Sequence, residues 1–280
     1  MEERLRFDVV ILGGGSAGCV LASRLSEDVG RSICLVEAGP DYGAYGDGRW
    51  PAEILDARAM PFSHLWEIEN GDRSSSRARI VGGCSAHNNC MIIWGTARDY
   101  DEWGNVAPGW SFATLEPYLR RAEEKLGTRR FRDEELAPWH RALLEAGRAL
   151  GFPRVENPND PDAPVCAAPY PLNARGSVRW SASFAYLDPA RGRPNLTILA
   201  EALVDRVLLD GDRARGAVVR RGGREVVLEA ETVVVSASAY GSPAILLRSG
   251  IGPEEELRRL GIPVAAALPE VGANLVDHPG

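Results

Sequence analysis

A glycine-rich turn between a buried strand and a helix constrains this chain more than any other feature of its sequence. Residues 7–12 form a short apolar run rich in β-branched side chains, which predicts a buried strand. A Gly-x-Gly-x-x-Gly sequence follows at once, and residues 17–25 have the alternation of a helix. Residues 32–36 predict a second buried strand. The result is a βαβ unit of about 30 residues, typical of one half of a Rossmann-like α/β fold.

The position of the glycines indicates a dinucleotide site. Gly13 permits the tight turn, Gly15 lets the backbone approach a pyrophosphate, and Gly18 allows the helix to pack on the strand. Ser16 stands at the helix N-terminus, where unpaired N–H groups and a partial positive charge attract phosphates. Glu37 ends the second strand, where its carboxylate would accept ribose hydroxyls. The alternative is a glycine-rich turn with a structural acid, and the motif by itself does not separate NAD from FAD.

The remainder of the chain predicts a mixture of loops, helices and strands. Residues 40–80 show no sustained period and indicate loops and short elements, whereas residues 114–126 and 138–150 have helical patterning. The Pro- and Asp-rich segment 157–164 is a candidate domain crossing. From residue 196 onward, strand-like runs around Gly-rich turns predict a small antiparallel layer, and residues 232–236 predict another buried strand that leads into a helix.

Composition excludes several classes of function. The formal net charge of −7 argues against a nucleic-acid partner, because phosphates require a basic surface. No apolar run is long enough to span a membrane, and no secretory signal follows Met1. The 5 cysteines form no CxxC pair, so reduced thiols in the cytoplasm are expected. Cys84 and Cys90 have no paired ligand set, so no metal site is predicted.

Four ordered segments resemble one family, the glucose–methanol–choline (GMC) flavin oxidoreductases. The opening βαβ unit is the first, and residues 79–88 (RIVGGCSAHN) look like the first family signature, with residues 99–103 (DYDEW) downstream. Residues 241–252 (GSPAILLRSGIG) look like the second signature, and residues 271–279 (VGANLVDHP) like the segment that closes the N-terminal half. The resemblance implies an FAD-binding domain in residues 1–155 and 195–280, with part of a substrate-binding domain in residues 156–194.

The resemblance also implies which residues contact FAD. The loop with Gly82, Gly83 and Ser85 would lie along the flavin ring and the pyrophosphate. His87 is the sharpest hypothesis, because the choline oxidase-like members of the family carry a histidine there that bonds covalently to the 8α-methyl group of FAD. The alternative is a histidine that packs against a non-covalent flavin. Asn88 would hold the flavin side of the site.

Two further segments are expected near the cofactor by the same resemblance. The backbone of Val204 would hold the adenine. Ser236 and Ala237 would lie beside the dinucleotide-binding turn, and Ser238 stands where the family usually has a glycine. Structural roles are expected for His64, His140 and His278, and for the tryptophans, although Trp66 could line a substrate cavity.

The function implied is FAD-dependent oxidation of the CH–OH group of an alcohol, with hydride transfer from the substrate carbon to flavin N5. The catalytic base of the family is a histidine of the C-terminal half, so no catalytic residue is expected in this chain. The partners expected are the alcohol, oxygen or another electron acceptor, and a C-terminal half or a second copy. The substrate would be choline-like or another primary alcohol, since Gly280 replaces the glutamate of choline oxidases. A non-catalytic flavin-binding fragment, half of a split enzyme and an NAD-dependent dehydrogenase are the alternatives.

Overall fold

The computed structural model describes residues 3–66 and 77–277. The strands are β1 (Glu3–Leu12), β2 (Ile33–Val36), β3 (Ala174–Arg175), β4 (Val178–Arg179), β5 (Leu196–Leu199), β6 (Ala202–Asp210), β7 (Arg213–Arg221), β8 (Arg224–Val235), β9 (Ile251–Gly252) and β10 (Ala266–Ala267). The helices are α1 (Ser16–Leu25), α2 (Ala52–Leu55), α3 (Ala97–Val106), α4 (Phe112–Leu126), α5 (Pro138–Ala149), α6 (Ser238–Arg248) and α7 (Glu254–Arg259). Short 3₁₀ turns lie at Tyr45–Asp47, Gly83–Ala86 and Asp133–Glu135, and a π-helical turn lies at Ser183–Leu187.

The described residues form two compact units, and the first contains the glycine-rich turn. It takes in the described parts of residues 1–51, 62–87 and 182–280. Its six-stranded sheet has the order β5-β2-β1-β8-β7-β6. β5, β2, β1 and β8 are parallel, whereas β7 and β6 continue the sheet as antiparallel strands. The prediction of a Rossmann-like α/β fold with a small antiparallel layer is confirmed.

The burial of the central strands explains why their sequences are continuous apolar runs. Successive side chains of a strand point to opposite faces of a sheet. At the C-terminal end of β1, Val9 is 2% exposed and Val10, Ile11 and Leu12 are fully buried, so both faces are covered there. All four residues of β2 are buried as well. This two-sided burial is typical of parallel strands in an α/β fold.

One strand joins the parallel and antiparallel parts of this sheet. The sequence predicts separate strands around residues 225–230 and 232–236. The structure makes them a single strand, β8, which pairs with β7 on one side and with β1 on the other. β8 passes through Glu229 and Glu231 without a break, from the antiparallel hairpin into the parallel sheet.

The second unit consists of residues 52–61 and 88–181. It holds α2, α3, α4, α5 and the β3–β4 hairpin, and the fully buried side chain of Arg179 joins its segments. The helical patterning of residues 114–126 and 138–150 is confirmed by α4 and α5. The sequence reading missed α3, although Thr96 and Asp99 form a capping box at its start.

The bounds of these units differ from the sequence-based division at residues 155 and 194. That division concerns the domains of a complete family member and stays a prediction. In residues 3–66 and 77–277, no helix has the length and hydropathy required to cross a bilayer.

Candidate functional site

The glycine turn after β1 leaves the N-terminus of α1 open. Gly13 N–H donates to Val36 O at 2.9 Å, which joins the turn to β2. α1 begins at Ser16 with Gly15 as its cap residue, no side chain caps it, and its first turn has no acidic residue. A Cβ atom added to Gly18 would lie 1.9 Å from Gly13 O, so only glycine fits there. The free N–H groups at this helix start are suited to a phosphate.

Gly15 differs from its neighbours in what surrounds it. A Cβ atom added to Gly15 would meet only Gly83 Cα, at 4.0 Å, whereas one added to Gly13 would lie 2.5 Å from Ser236 O. Ser236 also donates its hydroxyl to Gly13 O at 3.0 Å, as expected for a residue beside this turn. The space above Gly15 is therefore the one place in the turn where another group can approach the backbone.

Glu37 lies beside the turn and is almost fully buried. Its Oε2 accepts Gly14 N–H at 2.9 Å and its Oε1 accepts Gly39 N–H at 2.8 Å. Burial raises the pKa of the Glu37 carboxyl, and the N–H bonds from Gly39 and Gly14 act in the opposite direction. Since an ionised carboxylate has about four lone-pair sites, each oxygen can still accept a ribose hydroxyl.

The loop of residues 82–87, called the second loop below, contacts the glycine turn of residues 13–18. Gly82 N–H donates to Gly14 O at 2.8 Å. Gly83 has φ of +54°, and a Cβ atom there would lie 2.6 Å from Gly15 Cα. The structure therefore brings together two motifs that the sequence separates by most of a βαβ unit and a long loop region, and the space above Gly15 opens beside both.

Ser85 and His87 are held by atoms of the same unit. The Ser85 hydroxyl donates to Gly82 O at 2.6 Å and accepts Ala182 N–H at 2.9 Å, so it fixes the loop and keeps one lone pair. His87 is 7% exposed, and its Nε2 lies 2.9 Å from Ser63 O. Because a carbonyl oxygen only accepts, this contact assigns the proton of neutral His87 to Nε2 and leaves the Nδ1 lone pair available.

Asn88 begins the second unit. Its Oδ1 accepts Cys90 N–H at 3.0 Å, and its carbonyl oxygen accepts Arg179 Nε–H at 2.8 Å. Arg179 also donates to Ile54 O at 2.7 Å and to Ala59 O at 2.6 Å. The amide nitrogen of Asn88 is the part of the side chain that can still donate.

Val204 lies on β6, and the chain at the start of β6 is hydrogen-bonded to the segment that follows β2. Ala202 N–H donates to Glu37 O at 2.9 Å, and Glu201 N–H donates to Gly39 O at 2.9 Å. The Val204 carbonyl accepts Arg248 Nη2–H at 3.2 Å, and the β6–β7 register is irregular just after Val204. The predicted adenine contact is thus on the same side of the unit as the predicted ribose acid.

The sequence reading missed several charged residues around the turn that follows Glu37. Asp41, Asp188 and Arg191 form a partly buried ion network, and Arg79 donates from Nε to Ala38 O at 3.2 Å. Asp41 could have been suspected from its place four residues after Glu37. Arg191 gave no signal, because its partner lies 150 residues away in the sequence.

Comparison with known proteins decides the family. A sequence profile described as GMC oxidoreductase matches residues 7–280. The chain belongs to the GMC oxidoreductase family.

Curated relatives of this GMC protein are choline dehydrogenases. The mitochondrial choline dehydrogenase of Homo sapiens is 38% identical over 304 aligned positions, which cover 99% of this chain and 51% of the relative. The oxygen-dependent choline dehydrogenase of Rhizobium etli is 37% identical over 296 positions, covering 98% and 53%. The chain therefore spans about half the length of these curated relatives.

Solved structures of related enzymes have the same fold. Pyridoxine 4-oxidase from Mesorbium loti superposes with a TM-score of 0.81 at 31% identity, covering 94% of this chain and 56% of that one. A formate oxidase superposes with a TM-score of 0.83 at 25% identity, covering 99% and 53%. A formate oxidase variant from Aspergillus oryzae, in which the effect of a mutation on FAD modification was studied, superposes with a TM-score of 0.79 at 25% identity, covering 99% and 53%.

The residues of this GMC protein fit FAD, the cofactor of its family. The open space above Gly15, the uncapped start of α1 and the remaining lone pairs of Glu37 suit a pyrophosphate and a ribose. In residues 3–66 and 77–277, no group of three or more His, Cys, Asp or Glu side chains is arranged to hold a metal ion.

Proposed function

We propose that this chain forms the FAD-binding half of a GMC oxidoreductase that oxidises the CH–OH group of an alcohol. One observation carries the proposal: the glycine turn and the second loop are in contact through Gly82 and Gly14, beside open space above Gly15. A dinucleotide with its pyrophosphate at the start of α1 would then reach the second loop with its ring end.

The roles within this site follow the two ends of the cofactor. Glu37 would bind the adenosine ribose, and the Val204 backbone would bind the adenine. The residues proposed to contact the pyrophosphate and the flavin are Gly13, Gly15, Ser16, Gly18, Gly82, Gly83, Ser85, His87 and Asn88. When bound, FAD supplies a hydride acceptor at N5. The chain's own residues bind and orient it, and no catalytic base is assigned among them.

We propose that His87 bonds covalently to the 8α-methyl group of FAD. A C–H bond of that group would be broken with release of its proton, and the flavin ring would take up the electron pair, which oxygen or another acceptor would then remove. Its imidazole is buried, and the carbonyl of Ser63 holds the proton on Nε2, so the neutral ring retains a nucleophilic nitrogen. Acid precipitation of FAD-loaded protein tests this directly, because a covalent flavin stays in the pellet. A colourless pellet, with all flavin in the supernatant, would refute the covalent bond and leave the FAD site itself standing.

The substrate proposed is a primary alcohol, with choline-like alcohols included. Choline and pyridoxine, named in the relatives, both carry a primary hydroxyl group. Oxygen or another acceptor would reoxidise the flavin, as the name of an oxygen-dependent relative indicates for that enzyme. The contrast between choline and neutral alcohols rests on Gly280, which lies outside the described residues. The cytoplasm stays a prediction, since the human relative is named as mitochondrial.

Gly15→Ala separates FAD binding from folding. The backbone of Gly15, with φ of −73° and ψ of −164°, suits alanine, and the added methyl group meets no atom closer than 4.0 Å. We expect the variant to fold as well as the wild type but to bind FAD at least about tenfold more weakly, because the methyl group occupies the space required by the pyrophosphate. Gly46→Ala, which also meets no neighbour, is the control. Unchanged FAD affinity in Gly15→Ala would refute this placement of the cofactor.

A second candidate function is a flavin-binding module without catalysis of its own. The observation in its favour is that the roles proposed for the described residues are all contacts with the cofactor. The FAD-loaded chain is mixed anaerobically with a primary alcohol and the visible flavin absorption is recorded. Bleaching supports an enzyme, whereas a stable oxidised spectrum supports a binding module that requires a further polypeptide segment for catalysis.

A further inference from the structure

A partly buried ion network lies directly after the turn that carries Glu37. Arg191 forms a two-pronged ion pair with Asp41, with Nη1–Oδ2 and Nη2–Oδ1 distances of 2.7 and 2.8 Å. Its Nε donates to Asp188 Oδ1 at 3.1 Å. The three side chains are 17–18% exposed, so solvent screens the network far less than an exposed pair. A paired guanidinium of this geometry is rigid, because both prongs fix its plane.

The network holds both ends of a short loop. Asp41 is anchored by Arg191 at the beginning, and Tyr45 N–H donates to Asp188 Oδ2 at 2.9 Å at the other end. Arg191 Nη2 further donates to Ser183 Oγ at 3.3 Å. Residues 41–45 are thus fixed to the segment that contains Ser183 and Arg191, and all of these residues belong to the first unit.

Asp41 lies two residues after Gly39, whose N–H group binds the Glu37 carboxylate. Gly39 N–H donates to Glu37 Oε1, and Gly14 N–H donates to Glu37 Oε2. The Gly14 bond comes from the glycine turn itself, whereas the Gly39 bond comes from the start of the segment that runs into Asp41. Gly39 O accepts Glu201 N–H at 2.9 Å and Pro40 O accepts Val81 N–H at 3.1 Å, so a shift of Asp41 would pull on Gly39 against these bonds and rotate the carboxylate that faces the ribose.

We propose that Arg191 is a positioning residue for the adenosine half of the FAD site, acting through Asp41 and Gly39 on the Glu37 carboxylate. The inference rests on the proposed FAD-binding function. It assigns Arg191 no contact with the cofactor. The two ends of the proposed dinucleotide site then depend on different parts of the chain. The pyrophosphate end depends on the glycine turn, and the ribose end depends on the ion pair between Asp41 and Arg191, which are 150 residues apart in the sequence.

The test compares ligands that share the adenosine end. ADP carries the adenosine and the pyrophosphate without the flavin. Titration calorimetry of the flavin-free protein with ADP therefore reports on that end alone, and with FAD on the non-covalent binding step at the whole site. Arg191→Gln removes the charge, and Arg191→Lys keeps the charge but loses the two-pronged geometry. Arg215→Lys is the matched control, because Arg215 pairs with Asp210 on the exposed β6–β7 hairpin. Denaturation curves establish that each variant is folded at the titration temperature.

We expect Arg191→Gln to weaken ADP and FAD binding by about tenfold, comparable to the loss of one charge-assisted hydrogen bond, with a smaller loss in Arg191→Lys. Hydrogen exchange should show reduced protection of the Gly39 amide and unchanged protection of the Gly14 amide. If Arg191→Gln does not fold, Arg191→Lys decides. Unchanged affinities in a folded variant, or an equal loss in Arg215→Lys, would overturn the proposal. A wild-type chain that binds neither ADP nor FAD would instead refute the proposed function.

Discussion

Gly83→Ala tests the contact between the two loops on which the proposed FAD site depends. The substitution has two costs. The φ of +54° lies in the left-handed region, which costs a non-glycine residue about 1 kcal/mol. The new Cβ would lie 2.6 Å from Gly15 Cα, about 1 Å closer than carbon atoms normally approach.

Relief of that overlap requires the loops to separate. Overpacking of this kind costs about 1–3 kcal/mol, because Gly15 Cα belongs to the backbone and the backbone fixes the position of the new Cβ, so neither atom can rotate away. We therefore expect Gly83→Ala to lower the free energy of unfolding by about 2–4 kcal/mol in total. Because the second loop moves away from the glycine turn, FAD affinity should fall by at least about tenfold in protein that remains folded.

Gly222→Ala provides a closely matched control. Gly222 has φ of +55°, almost the same as Gly83, but a Cβ atom there meets no atom within 4 Å. Urea denaturation of the apoprotein should therefore show a cost of only about 1 kcal/mol for Gly222→Ala, with unchanged FAD affinity. If the two variants are equally stable and both bind FAD as the wild type does, the loops do not meet as described and the argument for a single site fails.

Three further predictions concern other parts of the molecule. Ser238 has φ of +74° and is exposed, so Ser238→Gly should raise the midpoint of urea denaturation, equivalent to about 0.5–1 kcal/mol, and no gain would contradict the strain. Arg179→Met leaves one buried and two partly buried carbonyl oxygens without their donor and should cost about 3–5 kcal/mol in urea denaturation, whereas Arg175→Met, whose side chain lies over Trp180, should cost about 1 kcal/mol or less; equal costs would contradict this. Burial raises the pKa of Glu37 above its usual 4.5, so its contribution to apoprotein stability is full below pH 4.5 and is lost as the pH rises through the folded pKa. The stability difference between wild type and Glu37→Gln, measured over a pH series, should therefore fall with pH, and a rising difference would refute the sign.

The βαβ unit could be predicted from the sequence because its signals are local. The apolar runs of β1 and β2, the three glycines and the helical pattern of α1 all lie within one short segment, and each favours the same structure. Glu37 was identified for the same reason, since an acid at the end of the second strand has a defined place relative to the turn. The second loop was found only through its resemblance to a family signature.

The sequence pattern did not predict the continuous path of β8 or the presence of α3. β8 pairs with the parallel strand β1 along one edge and with the antiparallel strand β7 along the other. Neither the continuous apolar run of a buried parallel strand nor the alternation of a half-buried strand therefore describes its whole length. α3 contains no leucine or isoleucine and includes Gly104, whereas α4 and α5 are longer and contain leucines, so the helical pattern of α3 is weaker than theirs. The capping box at Thr96 and Asp99 was the available signal.

By itself, the sequence determined the strand–turn–helix that can receive a pyrophosphate, because steric limits on the backbone admit only glycine at positions 13 and 18. The tertiary structure decided which distant groups complete that site. Gly82 donates to Gly14, and Arg191 pairs with Asp41, only because the parallel strands and the segments between them bring remote residues to the same end of the sheet. A hydrogen bond or an ion pair depends on distances of a few ångströms, and no local pattern records which residues the folded chain will place that close.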